Sequence, residues 1–473
     1  MKYRLTRYPV LAAFVVLTLT TSPQAQEQPF DLVKIKVDLK MVLAPISSNF
    51  IGVGYETSAV AQSSFFSPKN LAMIQLYKNL SPRGLIRIGG IISDHTKYEP
   101  DGTPAARTMK EVTVINKASL TDLGAFAQAT GWKVMWGLNL GTGSKDEAVQ
   151  EALAVNATLG TNLQSFEIGN EVEALKRFAG NYETYHSAFL DYKSGLRAAL
   201  PNAPFSGPDV IGNLQWITNF VAAEAGDMKL LTQHYYRGDA HDPKTTLEKL
   251  LQHDSGWDRR LAKLREIGRE HALGYRINEV NSFSSGGKAG VSDTFGAALW
   301  CLDYMFILAL HGCDGVNMET DVNQLGFISH YSPIVHDKTV HCSARPEYYG
   351  MLAFALAGNG ELLNLADSKT QTNLSIYAAR HADDSIWITV INKDFARDAD
   401  VESILPEGYA RSQAIWLRAP SMTSTNQVTL AEAEVAWDGT WTPKPADNIP
   451  VTNGVVRMSV PHASALLLEL RHY

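Results

Sequence analysis

From about residue 48 the chain alternates short apolar runs, each ending in glycine or a polar residue, with helix-like stretches, and this alternation limits the possible folds more than any other feature. The runs are "NFIGVGYE" near 49–56, "GLIRIGG" at 84–90, "KVMWGLN" at 133–139, "SFEIGNE" at 165–171, "PFSGPDV" at 204–210, "LLTQHYY" at 230–236, "GYRINEV" at 274–280 and "DGVNMET" at 314–320. Strands separated by helices pair in parallel, because only a long crossover returns the chain to the same sheet edge. Eight such units predict an α/β fold, a (β/α)8 TIM barrel over 48–357. Helix signals agree with this. Ser67 and Pro68 read as a cap and first helical residue, Ser144 and Glu147 have capping-box spacing, and long helices are expected over about 245–271 and 292–310. A doubly wound open sheet is the alternative, but the G-x-G-x-x-G turn of its nucleotide-binding members is absent. "GTGSK" at 141–145 lacks the spacing of a phosphate loop.

The flanks have a different texture. In "DLVKIKVDLK" at 31–40, Val33, Ile35, Val37 and Leu39 share one face and charged residues the other, as in a half-buried antiparallel strand. Beyond 358, runs such as "SIWITVINKD" and "SALLLEL" are separated by polar turns, which predicts an all-β sandwich domain over 358–473. The segment 26–47 is expected to join it, since a lone strand beside a closed barrel has no sheet to enter. At the start, Lys2, Arg4 and Arg7 precede an apolar run from Val10 to Thr20, which reads as a signal peptide over 1–25, cleaved between Ser22 and Gln26. That implies a secreted or periplasmic protein.

Charge narrows the partners. Three of the 42 basic residues and none of the 49 acidic ones lie in the leader, leaving 39 against 49, a formal charge of −10. Such a chain is a poor match for nucleic acid or an anionic membrane. Cys301, Cys313 and Cys342 allow one bridge at most. No Cys/His spacing suggests zinc, and no metal or cofactor motif is found.

In a TIM barrel chemistry sits at the C-terminal ends of the strands. Glu171 ends the fourth run and Glu279 the seventh, each directly after an asparagine. Two carboxylates facing each other across a barrel mouth are what glycoside hydrolysis requires, one to protonate the leaving oxygen and one to attack or to activate water. Glu167 lies on the same face of its strand, below Glu171 and inside the barrel, where a buried acid needs a partner; Arg87 is the candidate for a structural ion pair. Glu173 is expected to face the loop or solvent.

These residues resemble glycoside hydrolase family 79, the β-glucuronidase and heparanase family. "FEIGNE" is similar to its acid/base strand and "NEVNSFSSGGKAGVSDTFGAALWCLDY" to its nucleophile strand, glycine-rich loop and following helix. "RIGG", "GLN", "GPDV", "HYY" and "PEYYG" occur in the family's order. The resemblance implies a retaining mechanism with Glu171 as acid/base and Glu279 as nucleophile. It implies that Asn170 holds the sugar 2-hydroxyl, that Tyr236 supports the nucleophile and that His234 lines the same wall. It also implies that backbone N–H groups around Ser285 and Gly286, with Tyr331, bind the glucuronate carboxylate, and that Glu56 binds sugar hydroxyls. Ser285 stands where heparanase-like members have glycine, and Ile91 replaces a polar residue. No basic cluster flanks the barrel, as a heparan sulfate cleft would want. These departures favour an exo-acting site for a terminal glucuronic or 4-O-methylglucuronic acid over heparanase-like endo cleavage. Two alternatives stand beside this reading, a retaining glycosidase for a neutral sugar such as a β-xylosidase and a non-catalytic carbohydrate-binding barrel.

Overall fold

The structure, a computed structural model, describes residues 31–62, 64–106, 111–320, 326–336 and 342–472. The expected signal peptide lies outside the described residues. The eight runs form eight parallel strands, Ile51–Glu56, Leu85–Gly89, Lys133–Leu138, Leu163–Ile168, Phe205–Val210, Met228–Tyr236, Tyr275–Asn281 and Gly315–Glu319. They close into a barrel in chain order. Alternate residues of the first strand, Ile51, Val53 and Tyr55, pack outward into the core beneath the helices. Gly52 and Gly54 face inward and leave room for the side chains of Arg276, Asn317 and Glu319. The barrel interior is therefore unusually polar, and that polarity rises to the mouth as the candidate site.

Two helix expectations change. The first helix is Leu71–Leu80 and its cap is Asn70, whose side chain accepts from the Met73 N–H at 3.3 Å. Ser67 instead accepts from Lys69 N–H in the turn before it. The stretch over 245–271 is two helices, Leu247–Leu251 and Ser255–Glu270, because the Asp254 carboxylate accepts from the N–H groups of Gly256 and Trp257 and starts a new helix there. The Ser144–Glu147 capping box is present.

Strand Asp31–Pro45 enters the C-terminal sheet between Glu361–Asp367, antiparallel, and Ala399–Ile404, parallel. That sheet is continuous and eleven-stranded, and it curls so that one face encloses a core of its own. The last strand, Ser464–His472, shows the period-2 logic: Leu466, Leu468 and Leu470 enter this core, while Ala465 and Leu467 join the barrel's. The β-domain also caps the helix Phe295–Leu310, which follows the glycine-rich loop. The N-terminal N–H groups of any helix lack intrahelical partners, and here those of Phe295 and Gly296 donate to the carbonyls of Ser424 and Met422 at 2.7 and 2.9 Å. Deeper in the seam Lys393 Nζ pairs with Asp303 at 2.5 Å and the Tyr377 hydroxyl donates to the same carboxylate at 2.7 Å. Cys301, Cys313 and Cys342 are all free and buried.

Candidate active site

Arg87, on the second strand and about 0 % exposed, is the hub of the mouth. Its Nε donates to Glu167 at 3.1 Å, Nη1 to Glu279 at 2.6 Å, and Nη2 to Asn170 Oδ1 at 2.7 Å and to Asp209 at 3.5 Å. The pair with Glu167 is thus present, but Arg87 does more than neutralise a buried acid: it holds the Glu279 carboxylate and sets the Asn170 amide. A guanidinium only donates, so Asn170 must turn Oδ1 toward it and present Nδ2 to the mouth. Asn278 Nδ2 bridges Glu167 and Asp209 at 2.9 and 2.7 Å. Burial and the neighbouring Asp209 push the Glu167 carboxyl up to about 8, against the pull of Arg87.

Both Asn-Glu pairs present both of their side chains to this cluster, which a regular strand forbids because neighbours point to opposite faces. In the seventh strand the register slips between Ile277 and Glu279 against the sixth strand, and between Ile277 and Val280 against the eighth. This bulge turns Glu279 inward beside Asn278, as bulges near active sites do. After the fourth strand the chain instead turns through positive φ at Gly169 (86°) and Glu171 (45°). A Cβ on Gly169 would lie 2.8 Å from Val172 Cγ1, so both space and φ require glycine. The Asn170 N–H is pinned by Asp94 Oδ2 at 3.1 Å, and Asp94 Oδ1 also holds the N–H groups of Leu140 and Gly141.

His234, from the sixth strand, faces both acids through Nδ1, 3.3 Å from Glu171 and 3.7 Å from Glu279. One carboxylate oxygen from each acid and a ring nitrogen of His234 lie within 4.8 Å of one another. That spacing would admit a cation, although Arg87 Nη1 already places positive charge on Glu279. The Tyr236 hydroxyl donates to the other Glu279 oxygen at 3.0 Å. Burial alone would raise the Glu279 carboxyl; the charges of His234 and Arg87 and the Tyr236 bond outweigh it and hold it below the usual range. Burial disfavours the His234 cation, but Glu279 and the bond to Glu171 prevail and push it up to about 9.

The remaining expected residues line the rim. Glu56 is buried at the end of the first strand and accepts from Ile92 N–H at 2.8 Å; burial, then the Glu279 charge, push it up to about 8. Ser285 and Gly286 sit in a turn with φ of 60° and 81°, and Gly286 O accepts from His330 N–H at 2.7 Å, which ties the loop to the Tyr331 segment. The Tyr331 ring lies 6.2 Å from that of Tyr236. Glu173 is not a free loop acid: its Oε1 accepts from the N–H groups of Ile211 and Gly212 at 2.7 and 3.2 Å, joining the loops after strands four and five. Asp94, Asp209 and Glu319 adjoin this cluster without having been singled out from the sequence, and Asn278 was noted there only as the residue before Glu279. Their positions near strand ends were the available signal.

No family model matches the chain. A curated β-glucuronidase of Aspergillus niger is 24% identical over 482 residues, covering 85% of this chain and 87% of that protein. A β-glucuronidase of Neurospora crassa is 28% identical over 203 residues, 39% of this chain and 36% of that one. Among solved structures, a 4-O-α-L-rhamnosyl-β-D-glucuronidase from Fusarium oxysporum 12S, in its Rha-GlcA complex, superposes with a TM-score of 0.77 at 18% identity, covering 92% of this chain and 99% of that one. An α-L-arabinofuranosidase of Thermotoga maritima superposes with a TM-score of 0.70 at 15% identity, over 92% of this chain and 99% of that one. The chain therefore has the fold of the barrel glycosidases, with a curled β-domain attached.

Proposed function

We propose that this protein is a retaining, exo-acting β-glucuronidase that releases terminal glucuronic or 4-O-methylglucuronic acid from glycans or glycoconjugates. The observation that carries the reading is the carboxylate pair, with oxygens of Glu171 and Glu279 within 4.8 Å. This closeness agrees with the arrangement of retaining enzymes, whose two carboxyl groups lie about 5–5.5 Å apart. Glu279, held ionised by Arg87, His234 and Tyr236, attacks the anomeric carbon while Glu171 protonates the departing oxygen. Water then displaces Glu279 from the glycosyl–enzyme ester, with Glu171 taking the water's proton. Asn170 Nδ2 donates to the sugar 2-hydroxyl and Glu56 binds ring hydroxyls. The loop at Ser285 and Gly286, with Tyr331, takes the sugar carboxylate. The curated relatives named β-glucuronidase support the choice of sugar. The barrel over 48–357 and the β-domain made of 26–47 and 358–473 form the two domains, and the leader exports them to the periplasm or medium. Among the described residues no helix is long and apolar enough to cross a membrane.

The test is a parallel assay of aryl β-glucuronide, 4-O-methylglucuronide, β-glucoside and β-xyloside, with NMR of the first product anomer. Preference for a glucuronide with β-product first is the expected result. Preference for xyloside would remove the acid pocket, and initial α-product would remove the double displacement. The xyloside arm matters because a β-xylosidase of Caulobacter crescentus shares the fold, with a TM-score of 0.63 at 15% identity over 93% of this chain and 99% of that one.

A further inference from the structure

Among the described residues, every acid at the mouth except one has a partner. Glu279 has Arg87 and Tyr236, Glu171 has His234, Glu167 and Asp209 share Arg87 and Asn278, and Glu56 has a backbone N–H. Glu319, the last residue of the eighth strand, has none: it is 1% exposed, and neither carboxyl oxygen makes a hydrogen bond among the described residues. A buried, unpartnered carboxyl is costly, and groups of that kind are retained where a ligand satisfies them. The fold also makes room for it. Glu319 pairs with Gly54 of the first strand, and a Cβ on Gly54 would lie 2.4 Å from Glu319 Oε2. Its backbone is anchored by Asn281 Nδ2, which donates to the carbonyls of both Glu319 and Tyr331 at 3.0 and 3.3 Å. Glu319 therefore sits at the seam between the first strand and the Tyr331 segment, on the side where the sugar's acid group is placed above.

Resting on the glucuronidase reading, we propose that Glu319 binds the substrate's carboxylate, offering its own O–H as the donor of a hydrogen bond to one carboxylate oxygen. An ionised Glu319 would repel that group; a protonated one selects for it over a hydroxymethyl or a hydrogen. The surroundings favour the protonated acid. Burial raises the Glu319 carboxyl well above its ordinary value, and the charges of Glu279 and Glu56 raise it further; Arg87 opposes them and Glu171 adds to them. Burial, with the charge of Glu279, also holds the Tyr236 and Tyr331 hydroxyls protonated. An O–H of a neutral carboxylic acid donating to a carboxylate oxygen is a charge-assisted hydrogen bond, the stronger class.

The experiment compares kcat/KM for aryl β-glucuronide and aryl β-glucoside in the wild type, Glu319→Gln and Glu319→Ala. The expected result is that Glu319→Ala lowers the glucuronide-to-glucoside ratio about 10- to 100-fold, the worth of one hydrogen bond to a charged group. Glu319→Gln, which keeps a neutral donor, restores most of the ratio at neutral pH. Affinity for free glucuronate, measured by calorimetry, should decline for the wild type at high pH more steeply than for Glu319→Gln, whose amide does not ionise. That binding measurement decides the matter should Glu319→Ala not fold. A ratio unchanged in Glu319→Ala, or identical pH dependence of glucuronate binding in the wild type and Glu319→Gln, overturns the role of Glu319. A wild type without preference for the glucuronide overturns the glucuronidase reading itself.

Discussion

Removing the Tyr236 hydroxyl tests the electrostatics of Glu279, the proposed nucleophile, with little risk to the fold, because Tyr236→Phe keeps the ring and deletes one donor. That donor lies 3.0 Å from Glu279 Oε1, while Arg87 Nη1 keeps its 2.6 Å bond to Oε2. A hydrogen bond to a charged group is worth about 1.5–3 kcal/mol, and one pKa unit is about 1.4 kcal/mol. Glu279 should therefore titrate about 1–2 units higher in the variant. As the proposed nucleophile, Glu279 works ionised, so the acid limb of the kcat/KM profile, which reports the free enzyme, should move to higher pH by that amount. Activity should fall far more on this limb than at neutrality, where Arg87 and His234 still hold the charge. Stability has the same sign. A carboxyl depressed by the fold contributes stability above its unfolded value, about 4.3 for Glu, and that contribution is lost as pH falls through the folded value. The difference in Tm between wild type and variant should thus be present at pH 7 and shrink at acid pH. An acid limb at the same pH in both proteins would refute the account of how Glu279 is kept charged.

Other perturbations separate the remaining roles. Glu279→Ala should abolish turnover, and azide should restore it as an α-glycosyl azide; a β-azide from this variant would mean that the two acids exchange roles. Glu171→Ala should spare aryl substrates with good leaving groups far more than natural ones, and equal losses on both would exclude it as the acid. Asp94→Asn sets an amide N–H against one of the three backbone N–H groups that Asp94 now satisfies; denaturant titration should show a loss of about 1–3 kcal/mol, with lower kcat because Asn170 is freed. Gly169→Ala should cost at least about 1 kcal/mol, since alanine resists a φ of 86° and its Cβ meets Val172. Its kcat should drop with it, and unchanged kinetics would show that the turn does not aim Asn170 and Glu171.

The barrel was legible in the sequence because parallel strands buried on both sides read as short apolar runs, and all eight runs became strands in the expected order. The helix boundaries were less so: Asn70 displaced Ser67 as a cap and Asp254 split one expected helix into two, through local side-chain to backbone bonds that composition does not rank. Glu171 and Glu279 were singled out by position, yet the strand rule that located them would also have turned one member of each Asn-Glu pair away from the mouth. Two different backbone devices cancel that rule, a left-handed turn at Gly169–Glu171 and a bulge at Asn278–Glu279. Neither is written in residue type alone, apart from the glycine at 169. Arg87 shows the complementary gap. Charge pairing predicted its bond to Glu167, but a guanidinium has five donors, and only the closed barrel reveals that the others reach Glu279, Asn170 and Asp209. Because one residue fixes the charge of Glu279, the orientation of the Asn170 amide and the buried acids beneath them, the structural role of Arg87 and the catalytic role proposed for Glu279 cannot be separated. The arginine that reads as a structural device in the sequence is also the support on which the proposed nucleophile rests.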